Sequence, residues 1–249
     1  HPFLPGFTLS KELKFTASLD EIAEYGDMLV SALPSQVVRN VLDEFPSGWE
    51  KPVISVSKGI ENNTGMRMSQ VISESLKLDS EEIVVLSGPS HAEEVSQKYP
   101  TTIVAACADI DHARVVQKLF SNDYFRVYSG SDIIGVEIGG AAKNIIAIAA
   151  GTCHGLGYGD NTMAALVTRG LEEIIRLGTT LGAKRETFSG LSGMGDLIVT
   201  AFSPHSRNRQ VGERIGKGEK LSDILAGMEM VAEGVETARS IHGLTQKNN

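Results

Sequence analysis

Apolar residues in the first half of the chain come in short bursts. They are "DMLVSALP" at 27–34, "KPVISVSKG" at 51–59, "EEIVVLSGP" at 81–89, "TTIVAACAD" at 101–109 and a weaker "YFRVYSG" at 124–130. Runs of this length, rich in Val and Ile and closed by Gly, Pro or Ser, read as strands. Between them, apolar positions recur at helical spacing over 18–25, 36–45, 66–77, 91–98 and 111–120. Ser18 with Glu21, and Ser90 with Glu93, have the spacing of capping boxes. Strands alternating with helices predict a Rossmann-like α/β fold with a mostly parallel, doubly wound sheet.

From about Ile134 the strand pattern stops. Segments 141–150, 163–181, 208–215, 221–226 and 232–244 have helical spacing and are separated by glycine-rich turns. The expected organisation is an α/β domain over 1–133 and an all-α domain over 134–249, with a cleft where they meet.

Composition narrows the function classes. The chain has 249 residues, 41% of them hydrophobic and 22% charged, in the range of a folded globular protein. A formal net charge of −8 argues against a nucleic-acid binder, whose footprint is basic. Cys107 and Cys153 stand in apolar contexts without CxxC spacing, so buried reduced thiols and a cytoplasmic setting are expected. No run approaches the roughly 18 apolar residues that span a bilayer, and no signal peptide is seen, so membrane insertion is not expected. The histidines, at 1, 91, 112, 154, 205 and 242, are scattered, and no metal site is predicted.

A few residues stand out against this background. Lys143 is the lone formal charge between Glu137 and Asp160. On a helix its neighbours three and four back are Gly140 and Gly139, and on the other side come Ala147 and Ala150, which leaves room for a ligand beside the ammonium. Burial there lowers a lysine pKa toward proton-transfer competence; the alternative is a lysine snorkelling to water. Lys58 and Gly59 follow the second apolar run, and Gly88 and Ser90 the third. Ligands of open parallel sheets bind at such strand ends, although Lys58 also reads as a surface lysine and Ser90 as a plain N-cap. Ser206 is a plausible N-cap that puts Arg207 and Arg209 in a first helical turn. Cations oppose the helix dipole there unless an anion docks, and a solvated basic turn is the other reading. Asp196 is either a helix cap or the partner of a lysine.

Taken in order, "FLPG", "SVSKGIE", "LSGPSHAEEV", "GVEIGGAAKNIIAIAAG", "GLGYGDN", "TRGLEEIIRLG", "FSGLSGMGDLIVT", "SRNRQVG" and "VAEGVETA" resemble the bacterial-type NAD(P)-dependent glycerol-3-phosphate dehydrogenases. The resemblance implies an oxidoreductase that interconverts sn-glycerol 3-phosphate and glycerone phosphate, using NAD or NADP, and supplies phospholipid synthesis. It makes Lys143 the acid/base, with Asp196 assisting. Lys58, Gly88, Ser90, Ser206, Arg207 and Asn208 are implied to contact substrate. Lys58, Ala92, Arg207, Val231 and Glu233 are implied to contact cofactor. Residues 1–133 become a partial dinucleotide-binding domain and 134–249 an incomplete substrate domain. The partner expected is a small phosphorylated substrate, and a homodimer stays open.

Two departures qualify this. His91 stands where phenylalanine is usual, a change of packing. No GxGxxG lies between a strand and the helix it feeds, so the chain is expected to begin after the family's first strand–turn–helix–strand and to stop before its last helices. A two-domain dehydrogenase of a β-hydroxy acid or sugar acid, and an inactive phosphate-binding remnant, are the rival readings.

Overall fold

The computed structural model describes Leu4, residues 6–228 and residues 231–247. His1, and Phe3 and Pro5 of "FLPG", lie outside the described residues. All five apolar runs form strands: β1 (Leu29–Ser31), β2 (Val53–Ser55), β3 (Ile83–Ser87), β4 (Thr101–Ala106) and β5 (Phe125–Gly130). They make one sheet in the order β1-β2-β3-β4-β5. The pairs β1/β2, β2/β3 and β4/β5 are parallel, whereas β3 and β4 run antiparallel. A parallel connection needs a crossover; an antiparallel return does not.

Strand periodicity sorts the core into two layers. Val53 and Ile83 point to one face of the sheet, in a cluster with Val38, Leu42, Trp49 and Ile72. Their neighbours Ile54 and Val84 point to the other, with Ile103, Val116 and Val127. Helices α1 (Leu19–Tyr25), α2 (Val38–Asp43) and α3 (Met68–Leu76) supply or flank the first layer, and α4 (Ala92–Ser96) follows β3. The second layer is covered by α5 (Ile110–Phe120). Ser18 caps α1 through the Glu21 N–H as expected. The second capping box does not form: His91 is the N-cap of α4, and the Ser90 hydroxyl donates to the Gly88 carbonyl instead.

The remainder is helical, centred on α6 (Ile133–Gly155), which begins before and ends after the expected 141–150. Its length and composition would suffice to cross a membrane, contrary to the reading that no run comes close. The polar interruptions at Glu137, Lys143 and Asn144 hid its length. Most of the apolar window is buried inside the protein, so α6 is the core helix of this half. Around it lie α7 (Asp160–Thr180), α8 (Asp196–Phe202), α9 (Arg207–Gly216), α10 (Leu221–Ala226) and α11 (Glu233–Lys247). The sequence offered Asp196 as a helix start but gave α8 no span; the helix follows a short 3₁₀ turn at Arg185–Ser189 and a π turn at Leu191–Gly195.

Helices α6 and α9 touch backbone to backbone. A methyl at Gly151 would fall 2.0 Å from the Arg209 carbonyl oxygen, and one at Gly212 would fall 1.9 Å from that of Ile148. Gly155 and Gly216 face each other in the same seam. Small residues spaced four apart on both helices permit this approach, and it brings the start of α9 close to the middle of α6.

Candidate active site

Lys143 is buried on α6 with 5% of its surface exposed. Its Nζ donates to Asp196 Oδ1 at 2.5 Å and to Thr200 Oγ1 at 2.7 Å. Asp196 opens α8, and Thr200 lies four residues on, so both point from one face of that helix. The second carboxylate oxygen of Asp196 takes Lys58 Nζ at 2.7 Å, and the same ammonium donates to the Gly88 carbonyl at 3.3 Å. One carboxylate thus bridges two lysines, one from the end of β2 and one from the core helix. Asp196 is the lysine partner rather than a helix cap.

The electrostatics follow from burial. Desolvation, and then the charge of Lys58, push the Lys143 ammonium down to about 7 against the pull of Asp196. Burial alone would raise the Asp196 carboxyl, but Lys58 and Lys143 together hold it below the usual carboxylate range. The pair therefore presents an ionised carboxylate beside an amine poised to gain or lose a proton near neutral pH.

The glycines beside Lys143 do not leave room for a ligand as the sequence suggested. A methyl at Gly139 would come within 2.8 Å of the Ser192 carbonyl oxygen, and one at Gly140 within 2.8 Å of Ser87 Oγ. Protein fills that space. The glycines let α6 press against the π turn on one side and the sheet on the other, and the open volume lies at the lysine's tip.

That volume is a cavity of about 420 Å³. Lys58, Ser90 and Ala92 line it from the sheet side; Lys143, Ser206, Arg207 and Asn208 line it from the helices. Val231 and Glu233 complete its rim. Gly88 and Asp196 sit behind it, through their bonds to Lys58. The structure therefore brings all the sequence-predicted site residues to one place. Ser206 caps α9 by accepting from the Arg209 N–H, so the start of this helix is held at the cavity that Ser206, Arg207 and Asn208 line. Arg207 Nη1 donates to the Val231 carbonyl, and Asn208 accepts from the Gly234 N–H, tying α9 to the start of α11.

Several lining residues were not foreseen. Thr200 had a readable signal, its i,i+4 spacing from Asp196; Asn144 simply follows Lys143. His91 is more than a packing change: it lines the cavity, with its ring 6.1 Å from that of His205. Burial, followed by the charge on Lys143, lowers the His91 pKa and so favours the neutral ring.

The residues present fit the nicotinamide end of a dinucleotide. Glu233 is largely enclosed, and burial raises its carboxyl pKa despite Arg207 and Lys58 nearby. An enclosed carboxyl at a cavity wall suits an amide donor such as a carboxamide. Ala92 contributes only a methyl to the lining, and Lys58 and Arg207 supply positive charge.

The family profile of the NAD-dependent glycerol-3-phosphate dehydrogenase N-terminus matches residues 1–113, and that of the C-terminus matches residues 132–249. A glycerol-3-phosphate dehydrogenase [NAD(P)+] of Lysinibacillus sphaericus is 51% identical over 248 residues, covering 98% of this chain and 73% of the relative. That of Listeria monocytogenes serotype 4a is 50% identical over the same shares. Among solved structures, glycerol-3-phosphate dehydrogenase from Coxiella burnetii superposes with a TM-score of 0.92 at 32% identity, over 98% of this chain and 75% of that one.

Proposed function

Since the chain belongs to the NAD-dependent glycerol-3-phosphate dehydrogenase family, we infer that it interconverts sn-glycerol 3-phosphate and glycerone phosphate with NAD(P). The reaction supplies glycerol 3-phosphate for phospholipid synthesis. One observation carries the site assignment: the Lys58–Asp196–Lys143 bridge opens on a cavity that the cationic first turn of α9 also lines.

The phosphate end of the substrate docks at that turn, where Arg207, the capped helix start and Asn208 converge. Lys58, Gly88 and Ser90 hold the other end against the sheet. With the substrate so placed, its C2 oxygen lies at Lys143. Bound NAD(P) supplies or accepts the hydride at C2. In the oxidising direction neutral Lys143 removes the C2 hydroxyl proton; in the reducing direction its ammonium returns one to the carbonyl oxygen. Asp196 stays ionised, orients the amine and balances the two lysine charges. Thr200 fixes the amine's remaining freedom. Glu233, Val231, Ala92 and Lys58 bear on the cofactor. In this reading residues 1–133 carry the cofactor side and 134–249 the substrate side, in a cytoplasmic enzyme; the two free thiols support a reducing setting.

The test is nicotinamide turnover by the full-length gene product, supplied with glycerone phosphate and either NADH or NADPH. Oxidation of one of the two is expected. No oxidation with either overturns the assignment, and preference for a phosphate-free carboxylate substrate would favour a hydroxy-acid dehydrogenase.

A further inference from the structure

Among the described residues, Asp196 and Glu137 are the most deeply buried carboxylates, 2% and 7% exposed. The mechanism uses the first and leaves the second unexplained. Glu137 lies on α6, six residues before Lys143, roughly 9 Å along the helix axis. Its two oxygens accept from three donors on the sheet half: Ser69 N–H at 2.7 Å, Ser69 Oγ at 2.6 Å, and Arg67 Nη1. Arg67 is the N-cap of α3 and is itself mostly enclosed.

The placement bears on the catalytic bridge. Lys58 comes from the sheet half, and Lys143 and Asp196 from the helical half, so both ammonium groups reach Asp196 only at one setting of α6 against the sheet. On either side of Glu137 that contact is bare: Val136 packs on Val85 and Ala106, and Gly140, on the way to Lys143, lies against Ser87 and the Lys58 stem. Apolar and glycine contacts resist separation but permit sliding. A carboxylate gripped by three donors fixes both rotation and axial register, because those bonds are directional.

We propose that Glu137 is a positioning residue that sets the register of the core helix on the sheet, and through it the spacing of Lys143 from Lys58. The proposal rests on the dehydrogenase reading. It has a consequence beyond stability. A slip of α6 changes how Lys143 shares Asp196 with Lys58, and it misplaces the amine from the C2 oxygen. Misplacement of about 1 Å far from the chemistry lowers turnover by up to ~100-fold.

The test compares the wild-type enzyme with Glu137→Ala and Glu137→Gln, using glycerone phosphate and the preferred reduced cofactor. Wild-type turnover comes first, since its absence sinks the functional reading and not this inference. Glu137→Ala is expected to lower kcat by about 10- to 100-fold, with the cofactor dissociation constant unchanged. The limb of the kcat–pH profile that reports Lys143, set by Lys58, Asp196 and nearby His91, should be displaced. Glu137→Gln keeps the length and an acceptor for Ser69, so it should recover part of both. A purely structural role lowers the melting temperature and leaves kcat and the limb of the folded enzyme unmoved. That result in either variant overturns the proposal. Glu137→Gln alone decides the matter if Glu137→Ala does not fold.

Discussion

Lys143 was legible because a formal charge in an otherwise apolar, small-residue helix needs a reason, and Asp196 because a carboxylate at a helix start has few roles. Their meeting was implied by the family resemblance but not by the local pattern, where Asp196 read equally as a helix cap, since it depends on residues 53 positions apart folding together. The pKa of Lys143, lowered to about 7 by burial and then by Lys58, makes the pH dependence directional. With Lys143 as the proposed base, oxidation of glycerol 3-phosphate uses the neutral amine, so its kcat should rise with pH through about 7. Reduction of glycerone phosphate requires the ammonium and should fall through the same range. Initial rates in both directions check this, and limbs of the same sign would contradict it. Lys143→Ala should lower kcat by roughly 10²- to 10⁴-fold, the range of a lost general acid–base group, while leaving cofactor affinity unchanged. Asp196→Asn removes the one group that holds the proton on Lys143 while Lys58 keeps repelling it. The limb should therefore move to lower pH, a direction that pH–rate profiles of the variant would show or refute.

The elements were more legible than their contacts. All five strands follow from short apolar runs, since β2 and β3 are buried on both faces, and every helix except α8 overlaps a segment of helical spacing. Only the start of α8, at Asp196, was readable and not its span; the residues before it, Leu191–Gly195, wind as a π turn and shift the repeat. The antiparallel β3/β4 pair also escaped, since strand direction leaves no mark on hydrophobic pattern. The glycine seam between α6 and α9 was present in the sequence as Gly151, Gly155, Gly212 and Gly216, but glycines in two helices show contact only once the helices are docked. That seam has a functional load: it sets Arg207, at the head of α9, beside the cavity that Lys143 reaches. Gly212→Ala places a methyl against the Ile148 carbonyl, which no rotamer relieves. It should cost about 1–3 kcal/mol, the usual price of overpacking, and raise the KM for the phosphorylated substrate as α9 moves outward. Denaturant unfolding and steady-state kinetics measure the two effects, and an unchanged KM in a destabilised variant would separate the seam from the site.

For the whole molecule, the cavity belongs to neither half alone. Lys58, Ser90 and Ala92 rise from the sheet, while Lys143, Ser206 and Arg207 descend from the helices, so a ligand there bridges the two. The chain is acidic overall, at −8, yet it gathers Lys58, Lys143 and Arg207 around one opening, as local recognition of a phosphorylated anion requires. The sequence announced the two halves through the end of the strand pattern near Ile134, but it did not show that their junction closes over one carboxylate. A bridging ligand should stabilise both halves as a unit. Glycerol 3-phosphate at about 100 times its dissociation constant contributes roughly 2.7 kcal/mol, which for a domain of this size is about 5–10 °C in melting temperature. Arg207 is exposed at the cavity rim, so its removal should leave the fold intact while taking away the donor proposed for the phosphate. Arg207→Ala should thus melt at the wild-type temperature without ligand and lose most of the shift at the same ligand concentration. Thermal melts of both proteins with and without glycerol 3-phosphate decide it. An undiminished shift in the variant would mean that the phosphate is held elsewhere, and that the first turn of α9 is only a solvated basic end.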